Sequence, residues 1–297
     1  IILLNTLITN SQTQVSSGKL DTYKDFQSKY VTPRTIEVWL PDNYNSNTKY
    51  AVLYMHDGQM LFDEKTTWNK QSWNVDETAT ILIQNKTTKP FIVVGIYNGG
   101  KTRHSDYFPQ KPFENMNKKE KNFLIIPDIE EKNYFYNFKS NSDNYLQFLV
   151  KELKPMIDKT YSVATDKDNT FIIGSSMGGL ISMYAMIEYP NIFGGAACLS
   201  THWVGFKNIQ FNPIPNAFYK YLKKNIKKIK NNKIYFDYGN KTLDEMYPLL
   251  QKEVDLIFKN KGFDDKNWQT HFFEGEDHSE IYWSKRLDIP LKFLLKP

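Results

Sequence analysis

The sequence predicts an α/β fold with a mostly parallel central sheet and helices on both faces. Three observations predict it. Beyond Lys19, short β-branched or aromatic runs alternate with helical patterns, and no Gly/Ser-rich linker divides the chain at its midpoint. The composition, 297 residues of which 40% are hydrophobic and 24% charged, lies in the globular range and supplies one large core.

Taken in order, the strands are expected at Arg34 to Leu40, Tyr50 to His56, Phe91 to Tyr97, Thr170 to Gly174, Gly195 to Leu199, Lys233 to Tyr238 and Gln269 to Phe273. Helices are expected near Val75 to Gln84, Tyr145 to Lys159, Met177 to Glu188, Ala217 to Lys230, Leu243 to Lys261 and Ser279 to Leu295. Residues 18–297 are read as one domain. The segment 99–142 breaks the rhythm with many aromatics and three prolines, and its Phe and Tyr density points to an ordered excursion packed near a site.

Ile1 to Ile8 reads IILLNTLI and is followed by a polar stretch, which resembles the tail of a signal-peptide hydrophobic region. Residues 1–17 are therefore expected to be a leader remnant or a flexible N-terminus of a secreted or periplasmic protein, with an ordinary first strand in a cytoplasmic one as the alternative. No run of about eighteen apolar residues occurs, so no spanning helix is expected.

The formal charge of +5 does not point to nucleic acid, because only Arg34, Arg103 and Arg286 could fork onto phosphates or bases. Lys220, Lys223, Lys224, Lys227, Lys228, Lys230 and Lys233 supply much of the excess. Tyr219, Leu222, Ile226 and Ile229 recur between them at helical spacing, which makes the lysines the solvated face of an amphipathic helix. Cys198 is the sole cysteine, so neither an internal disulfide nor a zinc-thiolate cluster is available.

Ile172 to Leu180 reads IIGSSMGGL, so Gly174, Ser176 and Gly178 form G-x-S-x-G between a strand and a helix. A serine on so sharp a turn projects its hydroxyl above the sheet, and flanking glycines are needed where a side chain would collide. A serine hydroxyl needs a base to take its proton and a carboxylate to fix that base's tautomer. Of the five histidines, His202, His271 and His278 follow Ser176. His271 falls within a strand. His278 lies between the last strand and the last helix, where loops gather at the carboxyl end of the sheet. For the acid, Asp244 follows the strand that ends at Gly239, while Asp237 lies inside that strand and Glu245 is its neighbour. Thr242 and Glu245 also match a T-x-x-E capping box, which would make Asp244 a first-turn acid of the next helix instead.

The chain resembles the esterase family of α/β hydrolases that includes esterase D, enterochelin esterases, feruloyl and acetylxylan esterases, and mycolyl transferases of the antigen 85 type. VLYMHDGQMLFD (52–63), WNVDE (73–77), RHSDYFP (103–109), GSSMGG (174–179), FDYGNKTLDEMY (236–247) and HSEIYWSKRL (278–287) carry the likeness, which runs from about Arg34 to Leu295. It implies the α/β-hydrolase fold and a Ser176–His278–Asp244 triad. It also implies two backbone oxyanion donors, the N–H of Met177 and the N–H of Gln59, with Gly58 letting the second turn approach. His56 and Asp57 become structural. In several relatives the acid sits two or three residues past the strand-ending glycine, whereas Asp244 lies five past Gly239.

The expected function is a serine carboxylic-ester hydrolase working through an acyl-enzyme, with no metal and no organic cofactor. Trp203, just past a strand end, and the aromatic excursion are candidates to stack on a sugar or phenolic ring, which makes a carbohydrate ester the first expected substrate. Siderophore esters and small acyl esters are alternatives, as is acyl transfer on the same triad. A non-catalytic binding protein would be expected to degrade a triad position, and none is degraded.

Overall fold

The computed structural model describes residues 12–124, 138–206 and 211–297. Its strands are β1 (Lys19–Phe26), β2 (Arg34–Leu40), β3 (Ala51–His56), β4 (Phe91–Ile96), β5 (Thr170–Ser175), β6 (Gly195–Leu199), β7 (Lys233–Tyr238) and β8 (Trp268–Phe272). They form one sheet in the order β1-β2-β4-β3-β5-β6-β7-β8. The pairs β1/β2 and β2/β4 are antiparallel, and every later pair is parallel. This is the mostly parallel sheet that the sequence predicts.

Residues of β3 to β6 are buried throughout, as strands covered on both faces require. Side chains alternate between two cores. Val52, Tyr54, Ile172 and Cys198 face one, and Leu53, Met55, Ile173 and Leu199 face the other. The helices are α1 (Val75–Gln84), α2 (Arg103–Tyr107), α3 (Gln110–Glu114), α4 (Lys118–Leu124), α5 (Ser142–Phe148), α6 (Lys154–Thr160), α7 (Met177–Glu188), α8 (Ile214–Asn225), α9 (Tyr247–Asn260), α10 (Glu280–Arg286) and α11 (Asp288–Leu294). Leu180, Ile181 and Tyr184 of α7, with Phe218 and Leu222 of α8, cover the first face. Val75, Ala79 and Leu82 of α1, Trp283 of α10, Leu291 of α11 and Leu287 between the last two cover the second.

Four expectations need correction. β1 is missing from the sequence reading because it is a half-exposed edge strand with no apolar run. The helix expected over Tyr145 to Lys159 is α5 and α6 joined by a π-helical turn at Leu149–Leu153, with Pro155, which has no N–H to donate, in the first turn of α6. The last helix likewise divides into α10 and α11, with Pro290 in the first turn of the second. The excursion at 99–142 is partly helical, holding α2, α3 and α4. Its residues 125–137 lie outside the described residues, as do residues 1–11 of the expected leader.

Residues 12–17 pack on the domain. The Ser16 N–H and hydroxyl donate to Asp76 Oδ2 at 2.6 and 2.9 Å, and the Trp39 indole donates to the Ser17 carbonyl at 2.8 Å. Among the described residues no helix is long and apolar enough to cross a membrane.

Candidate active site

Ser176 stands between β5 and α7 with φ 57° and ψ −121°, a conformation that costs a residue with a side chain about 1–3 kcal/mol. The surrounding backbone enforces it. Its N–H donates to the Leu199 carbonyl at 2.9 Å, and its own carbonyl accepts from Gly179, Leu180 and His202 at 3.0 to 3.2 Å. The flanking glycines meet across the turn, since a Cβ on Gly174 would lie 2.8 Å from the Gly178 carbonyl. Met177 is the first residue of α7 and is buried.

The strand β7, separated from β5 by β6, delivers the acid. Asp244 is fully buried, and its Oδ1 lies 2.6 Å from His278 Nδ1. Its Oδ2 accepts from the Gly239 N–H and from the Ser200 hydroxyl, both at 2.7 Å. The departure from the family spacing thus has a physical explanation. A 3₁₀ turn at Thr242–Met246 folds the additional residues back, so the carboxylate bonds the very glycine that ends the strand. Two N–H groups, those of Asn240 and Lys241, donate to the Glu276 carbonyl at 3.0 Å and pin the histidine loop to the acid loop. The approach is so close that a Cβ on Gly239 would fall 2.1 Å from the Glu276 oxygen.

The capping box does not form. Thr242 makes no side-chain cap; its hydroxyl instead accepts from the His278 N–H at 3.0 Å and helps to seat the histidine. Asp237 is bound to Arg286 at 2.9 Å, and Glu245 is exposed. Trp283 packs edge-on against His278, with ring centroids 4.9 Å apart, and its indole donates to Ser200 at 2.9 Å.

Gln59 is the middle residue of a 3₁₀ turn, Gly58–Met60, at the end of β3. β3 and β5 are parallel neighbours, so this turn and the serine turn leave the sheet on the same side. They also touch, because a Cβ on Gly178 would lie 3.4 Å from His56 Cβ and 3.5 Å from Asp57 Oδ2. His56 bonds Tyr145 at 2.8 Å, and its pKa is lowered to about 3, mainly by burial. Burial alone would raise the Asp57 carboxyl. The paired bonds from Arg103 at 2.7 and 2.8 Å and one from Asn98 at 2.6 Å more than offset it, and the carboxyl sits below its ordinary range.

Trp203 does not meet the expectation of a stacking platform. It is fully buried, donates to Gln251 at 2.8 Å and packs on Phe218 and Phe236, so it offers no face to a ligand. His271 stacks on Tyr235 within β8, as a strand position would suggest. The sequence reading missed Tyr247 and His202. The Tyr247 phenol is 2.7 Å from His202 Nδ1, and its ring meets that of His278 edge-on at 5.8 Å. The signal for Tyr247 was its position three residues after Asp244, on the same face of one turn. His202 follows Ser176 in the chain, but nothing in the sequence marked its contact with Tyr247. Among the described residues, no group of three or more His, Cys, Asp or Glu is placed to hold a metal ion.

The sheet and its loops are those of an α/β hydrolase, and the class they belong to is the carboxylic-ester hydrolases. The family model described as "Putative esterase" matches residues 28–294, and the chain belongs to that family. Among curated proteins it is similar to the uncharacterized protein YbbA of Bacillus subtilis (strain 168), 22% identical over 269 residues that span 88% of this chain and 92% of that one. Among solved structures it is similar to a ferulic acid esterase, with a TM-score of 0.65 at 19% identity over 93% of this chain and 98% of that one. The enterobactin esterase of Shigella flexneri gives a TM-score of 0.63 at 16% identity over 95% of this chain and 60% of that one.

Proposed function

We propose that the protein is a serine esterase in which Ser176 attacks the ester carbonyl, His278 moves the proton and Asp244 holds His278. The observation that carries this reading is the 2.6 Å contact between the buried Asp244 carboxylate and His278 Nδ1, on the sheet edge that also bears the strained Ser176. A carboxylate at Nδ1 fixes the tautomer that leaves Nε2 free to accept a proton, and it balances the imidazolium that results. Attack forms the bond from Ser176 Oγ to the carbonyl carbon, and the Oγ proton passes to His278. The N–H groups of Met177 and Gln59 receive the oxyanion. Collapse breaks the bond to the alcohol, which leaves with the proton from His278. Water then repeats the sequence on the acyl-enzyme. These steps call on no metal or organic cofactor.

For the substrate, an ester on a carbohydrate is the first choice, supported by the likeness to a ferulic acid esterase. A siderophore ester is the second, supported by the likeness to an enterobactin esterase. The test is a panel of p-nitrophenyl acyl esters of graded length beside acetylated and feruloylated sugars. Turnover of a sugar ester with kcat/KM above that of every simple ester supports the carbohydrate reading. Turnover of short simple esters alone rejects it, and acyl transfer to an added alcohol in preference to water would make the protein a transferase.

A further inference from the structure

Ser200 directly follows β6, the strand between the one that carries Ser176 and the one that delivers Asp244. This stretch is tied to both neighbours: the Leu199 carbonyl accepts the Ser176 N–H at 2.9 Å, and the Ser200 N–H donates to the Asp237 carbonyl at 2.8 Å. Ser200 is fully buried, and its hydroxyl makes three bonds. It accepts from the Trp283 indole at 2.9 Å and from Arg286 at 3.1 Å, and it donates to Asp244 Oδ2 at 2.7 Å. A hydroxyl has two acceptor sites and one proton, so the two donors take both lone pairs and leave the proton a single direction, toward the acid. The backbone does not call for a serine here, since φ is 42°, a left-handed value that glycine adopts more readily.

The two donors are themselves fixed. Arg286 is buried, with one guanidinium nitrogen shared between Ser200 and Asp237 and the other bonded to the Glu276 carboxylate. Trp283 packs between the rings of Trp73 and His278, at centroid distances of 5.4 and 4.9 Å. Resting on the serine-esterase reading, we propose that Ser200, locked by Trp283 and Arg286, is a positioning residue that holds the Asp244 carboxylate with Oδ1 toward His278. Glu276 closes the arrangement, because its side chain binds Arg286 while its backbone carbonyl accepts from Asn240 and Lys241. One guanidinium thus sets the acid loop and the histidine loop from behind.

The consequence reaches both halves of the reaction, because His278 takes a proton from Ser176 in acylation and from water in deacylation. It leaves KM alone, since a fully buried serine offers nothing to a substrate. It also has a signature in pH. Ser200 steadies the Asp244 charge most while His278 is neutral, because an imidazolium neutralises part of that charge itself. Without the hydroxyl the imidazolium gains on the neutral ring, and the acid-side midpoint of kcat/KM moves to higher pH. The other titratable groups around the pair are Asp237, Glu276 and Arg286 behind it and Tyr247, bonded to His202, beside the His278 ring. Asp277 and Glu280 flank His278 along the chain. All of these are the same in the variants below, so a shift in the midpoint reads the loss of the Ser200 hydroxyl.

The test uses p-nitrophenyl acetate. Steady-state rates across about pH 5 to 9 give kcat, KM and the acid-side midpoint. A single turnover with enzyme in excess reads acylation from nitrophenolate release, and deacylation from decay of the acetyl-enzyme by mass spectrometry. Ser200→Ala is expected to slow both steps by a similar factor, roughly ten- to a hundredfold, the scale of a misplaced reacting group, with KM little changed and the midpoint raised. Ser200→Gly, which the left-handed backbone accepts, is expected to behave in the same way, and it decides should Ser200→Ala fail to fold. Rates and midpoint both at wild-type values in a folded variant overturn the proposal. Slower turnover with the midpoint unmoved or lowered overturns it as well, because a serine that only fills space would act so. Ser176→Ala run in parallel separates the two levels: nitrophenolate release that survives it rejects the serine-esterase reading itself.

Discussion

Asp244 binds His278 through one carboxylate oxygen at 2.6 Å and uses the other for Gly239 and Ser200. Each bond restricts the carboxylate further, so the imidazole is held by a group that cannot turn away. Asp244→Asn is expected to lower kcat by about 10⁴, because an amide nitrogen facing Nδ1 favours the wrong tautomer. Glu245→Gln should leave kcat near wild type. Asp237→Asn should instead cost stability, on the order of 1–3 kcal/mol, by removing one of the two carboxylates, the other being Glu276, that bind the buried Arg286. Measuring kcat and denaturant stability on all three separates the roles; a normal kcat in Asp244→Asn removes it from the mechanism.

A second expectation concerns the turn that carries Gln59. A Cβ on Gly58 would lie 2.7 Å from backbone atoms of Gly95 and Ile96 in the rigid centre of the sheet, so the turn must move to admit it. Gly58→Ala is expected to lower kcat on the order of a hundred- to a thousandfold, the cost of losing one oxyanion donor, with a smaller change in KM. A variant that folds and keeps full kcat would show that the Gln59 N–H plays no part.

Stability should fall as the medium is acidified from about pH 6.5. The pKa values of His56, His104 and His202 are lowered to about 3, 4 and 3, in each case mainly by burial. Below the ordinary histidine value near 6.5 the unfolded chain takes up protons that the folded chain refuses. The loss therefore begins near pH 6.5 and continues until the folded-state values are reached. Each group contributes about 1.4 kcal/mol per pH unit across that window. Glu37 and Asp237, raised by burial, act with the opposite sign just above the ordinary carboxylate range. Urea midpoints from pH 7.5 to 5 check the direction; a midpoint that rises on acidification contradicts it.

The parts of this account that were legible in the sequence are those written in local pattern. Gly174, Ser176 and Gly178 announce their turn because the Gly178 backbone comes so close to Gly174 that no side chain fits on Gly174. β2, β6 and β7 appear at their observed bounds because short runs rich in β-branched, aromatic or small apolar residues mark strands of the sheet. Thr242 and Trp203 mislead for the opposite reason. The capping pattern at Thr242 is overridden by the histidine loop that folds onto it, and the burial of Trp203 is decided by Phe218 and Phe236, distant in sequence. His202 and Tyr247 meet across 45 residues, a contact that no spacing rule encodes.

The central claim is that Ser176 is the nucleophile, and covalent labelling tests it most directly. Wild-type protein and Ser176→Ala are each treated with a fluorophosphonate, and intact mass and peptide mapping follow. The account predicts one adduct on wild-type protein, on the peptide containing Ser176, and none on the variant, together with loss of ester cleavage. An adduct on Ser176→Ala, or a wild-type adduct on another serine with ester cleavage intact in the variant, would contradict it.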